Sequence, residues 1–254
     1  MSRPREFSLV GALIAVLLGA PAAATSLRFV TQVFPPLVSL ARGRAVGPMV
    51  DVLQAACAAI QTTCTVDVMP WRRGLPLAEQ GLYDGAFVLL WLPEREQLFY
   101  MPPGMVTSAY SLFGLQGSKL VYQQPQDLSG RTIVVYGPSG TETAVESVLR
   151  NVATIHLQRE GDNRTVLRKL AAGRYGPDAL AVVNRDVGLS LIQSEPLPGI
   201  RLLSDLEPIS YTIGLSRRAV PAALAGRFLS ALAALKQAGT LSAIFDKWRA
   251  KPPA

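Results

Sequence analysis

The chain has 254 residues, and 25 lysines and arginines against 18 aspartates and glutamates leave a formal charge of +7. The basic residues are scattered, with no basic run interleaved with stacking aromatics, which argues against nucleic acid as a partner. His156 is the only histidine and Cys57 and Cys64 are the only cysteines, so neither a metal set nor a cofactor is expected.

The N-terminus reads as an export leader over residues 1–24. Arg3 and Arg5 form a short basic region, and "SLVGALIAVLLGA" (8–20) is an apolar core too short to span a bilayer comfortably. The small residues of "PAAATS" place cleavage after Ala24, with an uncleaved anchor as the alternative. No cysteine stands immediately after the cleavage site, which argues against a lipid anchor, and no later stretch has the apolar length of a membrane helix. Cleavage leaves about 230 residues, enough for two modest lobes.

"LRFVTQVF" reads as a strand, and Phe34 at its end opens the loop "FPPL". Met49, Val52, Leu53, Ala56, Cys57 and Ile60 then recur at helical spacing, giving a helix over about 49–60. Cys57 falls on its apolar face, and Cys64 opens the strand "CTVDVM" after a short turn. A helix end, a turn and a strand start can bring two Cα atoms within disulfide range, and an exported chain meets an oxidising compartment. The pair reads as a structural disulfide, with free thiols as the alternative.

"RRGLPLAEQG" is a short helix closed by Gly81, "DGAFVLLW" a buried strand, and "YSLFGLQ" an extended apolar segment. A second strand-loop-helix opening follows in "RTIVVYGPSGTE", with its helix over about 142–150. "TIHLQRE" is strand-like, "DNRTVLRKLAAG" is a helix capped by Asp162 and stopped by Gly173, and "DALAVVN" is another buried strand with a helix after it. "YTIGLS" is a strand, Pro221 opens a long helix to about Ala238, and "TLSAIFDKW" makes the last one. Alternating strands and helices imply α/β layers, and the two openings at Leu27 and Arg131 suggest two mostly parallel sheets.

Ligands of open α/β sheets bind beyond the carboxyl ends of the strands. Phe34, Trp71 in "MPWRRG", Trp91 and Arg95 in "WLPER" all stand at strand ends of the first half. Together they form a cleft-like set, although a loop phenylalanine packs as readily, a lone tryptophan is more often core, and a lone arginine more often a solvated loop charge. In the second half, Gly140 and Thr141 of "YGPSGTET" lead into a helix whose free N–H groups favour an anion. The stretch lacks the Gly-Lys-Ser/Thr ending of a nucleotide loop. Asn184 and Asp186, after "DALAVVN", either face the cleft or cap the next helix. No nucleophile-base pair or carboxylate pair stands out, so the chain does not read as an enzyme.

These motifs, taken in order, resemble the periplasmic solute-binding proteins of polar amino acid uptake systems, the group that includes the histidine- and lysine/arginine/ornithine-binding proteins. "FPPL" is similar to the family's aromatic-x-Pro loop, "GPMVDVLQAA" to its Gly-x-x-x-Asp-Leu helix start, and "PEREQ" to its Glu-Arg motif. "EQGLYDGAF", "DLSGRTIVVYGPSGTET", "LAAGRYGPDALAVVN" and "LKQAGTLSAIFDKW" resemble its later signatures, and the spacing of "CAAIQTTC" matches that of the named members.

The resemblance implies the type II periplasmic binding protein fold: two α/β lobes, each a mostly parallel sheet flanked by helices, joined by two hinge strands. Lobe I would comprise residues 25–110 and 213–254, and lobe II residues 111–212. It further implies a monomeric periplasmic protein, not embedded in the membrane, that delivers a small-molecule ligand to an inner-membrane ABC permease. In the family the arginine of the Glu-Arg motif clamps the ligand's α-carboxylate, aided by the Gly-Thr loop. Arg95, Gly140 and Thr141 hold those places. The chain departs from the family where Val88, Leu89, Leu90 and Leu92 replace the Ser/Thr before that arginine. It also lacks a clean counterpart of the acid that grips the α-ammonium, with Asn184 and Asp186 nearest to its place. Carboxylate recognition therefore carries over better than amino acid recognition. A dehydratase-like enzyme on the same fold, with Glu142 as its acid or base, and a ligand-sensing partner of a membrane receptor are the alternatives.

Overall fold

The computed structural model describes residues 26–249, so the expected leader over 1–24 lies outside the described residues. The first half runs β1 (Ser26–Thr31), the hairpin β2 (Ser39–Ala41) and β3 (Arg44–Val46), α1 (Pro48–Ala59), β4 (Thr63–Val68), α2 (Trp71–Glu79), β5 (Gly85–Leu90), β6 (Phe99–Tyr100) and β7 (Val106–Leu115). The second half runs β8 (Thr132–Tyr136), α3 (Gly140–Leu149), β9 (His156–Glu160), α4 (Asn163–Ala171), β10 (Leu180–Asn184), α5 (Arg185–Ser194) and β11 (Ile200–Ser216). Helices α6 (Ala222–Gln237) and α7 (Thr240–Arg249) return to the first half and pack on α1. Among the described residues no single helix is long and apolar enough to cross a membrane.

Local chemistry accounts for the expected boundaries. Pro48, which has no N–H to lose, opens α1, and Met49, Val52, Leu53, Ala56 and Cys57 form its buried face. Asp162 caps α4 by accepting from the Thr165 N–H at 2.8 Å. Gly81 ends the turn after α2 at φ +81, and a Cβ there would stand 2.9 Å from the Arg218 side chain, so position and conformation both require glycine.

The strands form one nine-stranded sheet in the order β4-β1-β5-β11-β7-β10-β8-β9, with β6 paired to β11. The pairs β4–β1, β1–β5, β10–β8 and β8–β9 are parallel. The two parallel layers expected are present, and hydrogen bonding across the strands between them makes one continuous sheet. The antiparallel pair of β7 and β11 runs from Ile200 opposite Leu115 to Tyr211 opposite Val106, and so connects the two parallel layers. Strand β11 is also much longer than the expected "YTIGLS". Its register shifts between Leu202 and Ser204 and again between Asp205 and Glu207. Each such bulge breaks the alternation by which a strand is read from sequence.

The disulfide between Cys57 and Cys64 ties the end of α1 to the start of β4, with the Cα atoms 6.1 Å apart. The loop it closes spans a sequence separation of 7, so chain entropy sets its contribution at about 2–3 kcal/mol. Urea melts of the reduced protein, or of a Cys57→Ser/Cys64→Ser variant, should fall by that amount. An unchanged midpoint would show that the link adds nothing to the fold.

Candidate functional site

A cavity of about 800 Å³ opens where the carboxyl ends of β5 and β8 meet the middle of β7 and β11. A smaller chamber of about 30 Å³, room for a water or two, lies against it, and the two share Trp71, Leu90, Arg95, Tyr110, Ser139 and Gly140. This is the crevice beyond strand ends that the alternation of elements led one to expect.

Arg95 sits in the 3₁₀ turn Pro93–Gln97 that follows β5. Its N–H donates to the Leu92 carbonyl at 3.0 Å, and its Nη1 donates to the Leu90 carbonyl at 2.8 Å. The guanidinium is thus held by the last turn of its own strand. Burial pulls its pKa below the ordinary arginine value, against the opposing field of Glu79 and then Tyr110. Among the described residues no carboxylate forms an ion pair with it. A half-buried arginine fork without a counter-ion has donors to offer an anion, and its planar geometry suits a carboxylate.

Helix α3 begins opposite. Ser139 caps it, accepting from the Glu142 N–H at 3.4 Å and donating from Oγ to the Tyr136 carbonyl. The N–H groups of the first turn have no partner within the helix and add positive potential. Thr141 is buried there. A Cβ on Gly140 would stand 2.8 Å from the Tyr110 hydroxyl oxygen, so glycine lets that phenol reach the helix start. The Tyr110 hydroxyl meets the side chains of Thr141 and Tyr211. Burial is the main cause that pushes the Tyr110 pKa up to about 12, and it raises that of Tyr211 as well, so both phenols keep their protons.

Phe34 lines the inner chamber, meeting the Tyr211 ring edge-on with centroids 5.0 Å apart. Trp71 walls both cavities and Trp91 the outer one, where the Trp91 Nε1 is buried without a partner. The structure therefore brings Phe34, Trp71, Trp91, Arg95, Gly140 and Thr141 into one cleft.

Asn184 and Asp186 do not line either cavity. Asn184, 1% exposed, is the cap of α5: its Oδ1 accepts from the Asp186 and Val187 N–H groups, both at 3.1 Å. Its Nδ2 donates to the Ser108 hydroxyl at 2.9 Å and the Tyr211 hydroxyl at 3.3 Å. Every hydrogen-bonding position of this side chain is taken. Asp186 is half-exposed beside Arg185. Glu142 is likewise committed, in an ion pair with Arg159, which also holds Glu146. Asn184→Ala should cost about 1–3 kcal/mol, because it removes a cap and takes a donor from the buried hydroxyls of Ser108 and Tyr211. Urea denaturation measures this, and a stability equal to wild type would speak for a ligand-facing role instead.

Sequence reading missed Tyr110, Tyr211, Gln32 and Asn163 as lining residues. Tyr110 and Tyr211 each head a mostly apolar run, and a buried phenol needs a partner for its hydroxyl. That was the available signal. Gln32 and Asn163 carry none.

The chain matches the model of bacterial extracellular solute-binding proteins, family 3, over residues 27–251. No curated protein sequence matches it at a significant level. Among solved structures, it is similar to an ancestral arginine-binding protein bound to glutamine, at 20% identity and TM-score 0.75, over 89% of this chain and 98% of that one. A histidine kinase sensor domain with similarity to periplasmic binding proteins superposes with TM-score 0.76 at 21% identity, over 88% of this chain and 95% of that one. The ancestral amino acid-binding protein AncCDT-1, a precursor of cyclohexadienyl dehydratase, gives TM-score 0.73 at 15% identity, over 88% and 94%. Identities this low speak for the fold, which is that of a type II periplasmic binding protein. The family model spans nearly the whole described chain, from β1 through the cleft to α7, and on that match the chain belongs to the bacterial extracellular solute-binding proteins of family 3.

Proposed function

We propose that the protein captures a small carboxylate-bearing solute between two lobes and hands it to an inner-membrane ABC permease, without catalysing a reaction. The observation that carries this reading is Arg95: a positioned, half-desolvated guanidinium with no counter-ion, facing the start of α3 across the cleft. In this reading Arg95 receives the carboxylate, Gly140 and Thr141 close on it, and Phe34, Trp71 and Trp91 enclose the remainder. Lobe I is assigned to residues 25–110 and 213–254 and lobe II to 111–212, with β7 and β11 as the hinge. The family and the leader-like N-terminus support export to the periplasm as a soluble monomer.

A thermal-shift screen of amino acids, dicarboxylates and aromatic acids tests the reading. Carboxylates should raise the melting temperature, and matched amines without a carboxylate should not. Shifts produced equally by the amines would reject it. Saturation with a binder should also contract the protein in small-angle scattering, because contacts from both lobes are satisfied together only when they close. Superimposable curves would count against closure.

Two other roles have support in the fold neighbours, one a kinase sensor domain and one a dehydratase precursor. The enzymatic one is disfavoured by Glu142, whose carboxylate is paired with Arg159 rather than turned to the cleft.

A further inference from the structure

The charge inventory of the inner chamber bears on what stands beside the ligand's carboxylate. The chamber's lining contains one cation, Arg95, and no carboxylate. Its other polar groups are neutral: the Gln32 and Asn163 carboxamides and the hydroxyls of Tyr110, Tyr136, Ser139, Thr141 and Tyr211. Asn163, the first residue of α4, has its Oδ1 buried with no partner.

The acids that could have served are engaged elsewhere. Glu142 is paired with Arg159, Asp162 caps α4 through Thr165, and Asp186 lies outside the cavities beside Arg185. Glu94 and Glu207 line only the outer cavity and are exposed. The field of Glu94 reaches Arg95 and that of Glu207 reaches Tyr110, but both carboxylates stand in water outside the inner chamber, where screening weakens them as counter-ions for a group held within it.

An amino acid brings both charges on adjacent atoms. Arg95 would neutralise the carboxylate, and the ammonium would be left as the uncompensated charge, in a half-dry chamber beside a guanidinium of its own sign. Such a charge is costly to bury without a counter-ion. A neutral hydroxyl or keto group at the same carbon needs only a dipolar partner, and the chamber offers several. The walls of the outer cavity add apolar surface from Trp71, Leu75, Pro76, Leu90, Trp91 and Leu92.

Resting on the carboxylate reading above, we infer that the site is built for an apolar or aromatic carboxylic acid whose α-carbon bears no ammonium, of the 2-hydroxy or 2-oxo acid class. The family-typical acid is absent from the chamber because the ligand has no charge for it to meet. The tryptophan walls replace side-chain hydrogen bonding with area.

Calorimetry on matched pairs tests this: L-phenylalanine against 3-phenyllactate, L-tryptophan against indole-3-lactate, L-leucine against its 2-hydroxy counterpart, and L-arginine against its own. The hydroxy acid should bind about tenfold tighter or more than its partner in the apolar pairs, and Arg95→Ala should weaken it. Asn163→Asp places a carboxylate in the chamber and should move the ratio about tenfold toward the amino acid. Amino acids that bind as well or better, with binding still lost in Arg95→Ala, would overturn the inference and leave carboxylate capture standing. An unmoved ratio in a folded Asn163→Asp protein would also count against it. Binding by neither member of any pair, or binding indifferent to Arg95→Ala, would remove the carboxylate reading and this inference together.

Discussion

Arg95→Ala should weaken ligand binding by about 2–5 kcal/mol, roughly thirty- to several-thousand-fold in affinity. The loss has two parts. A charge-assisted fork disappears, and the ligand's carboxylate is then left against an inner chamber whose lining holds no other cation. Folding should change far less. Arg95 contributes one hydrogen bond to the Leu90 carbonyl, worth about 1 kcal/mol, and that carbonyl stands at a cavity wall where water can reach it. Arg95→Lys should recover part of the affinity, because an ammonium keeps the charge and loses the planar fork. Calorimetry with a ligand identified in the thermal screen measures all three proteins. A folded Arg95→Ala protein that binds within about threefold of wild type would make this arginine an ordinary loop charge.

The place of Arg95 at a strand end was legible locally, after a buried strand and beside tryptophans at neighbouring strand ends. Its reading as a carboxylate clamp was not local, and came from the resemblance of "PEREQ" to the family's Glu-Arg motif. Gly140 and Thr141 were legible locally too, as a loop entering a helix. Asn184 was not. Its position after a buried strand fits a ligand contact and a helix cap equally, and the choice depends on Ser108 and Tyr211, which come from two distant strands. The continuous sheet was hidden in the same way. Leu202, Leu203 and Leu206 do not alternate, since two register shifts intervene, so half of β11 reads as loop. The tyrosines of the cleft sit at β7 and β11, and became visible as a site only once those strands were placed side by side.

That hinge pair is also where a single apolar deletion should do the most damage. Phe113 lies near the carboxyl end of β7, fully buried, opposite Ala181 of β10 on one side and Leu202 of β11 on the other. Helix α5 approaches its ring so closely that a Cβ on Gly188 would stand 2.3 Å from it. The glycine and the phenyl ring therefore form one fitted contact between helix and hinge. Phe113→Ala removes a buried ring and leaves a void that rigid strands on both sides cannot fill, at a cost of about 3–5 kcal/mol. Gly188→Ala errs in the opposite direction, forcing the ring aside at about 1–3 kcal/mol. Combining them should cost less than the sum, because the added methyl enters space the ring has left. Urea unfolding of the two single variants and the double variant measures the coupling. Strictly additive losses would mean that helix and strand do not share this contact.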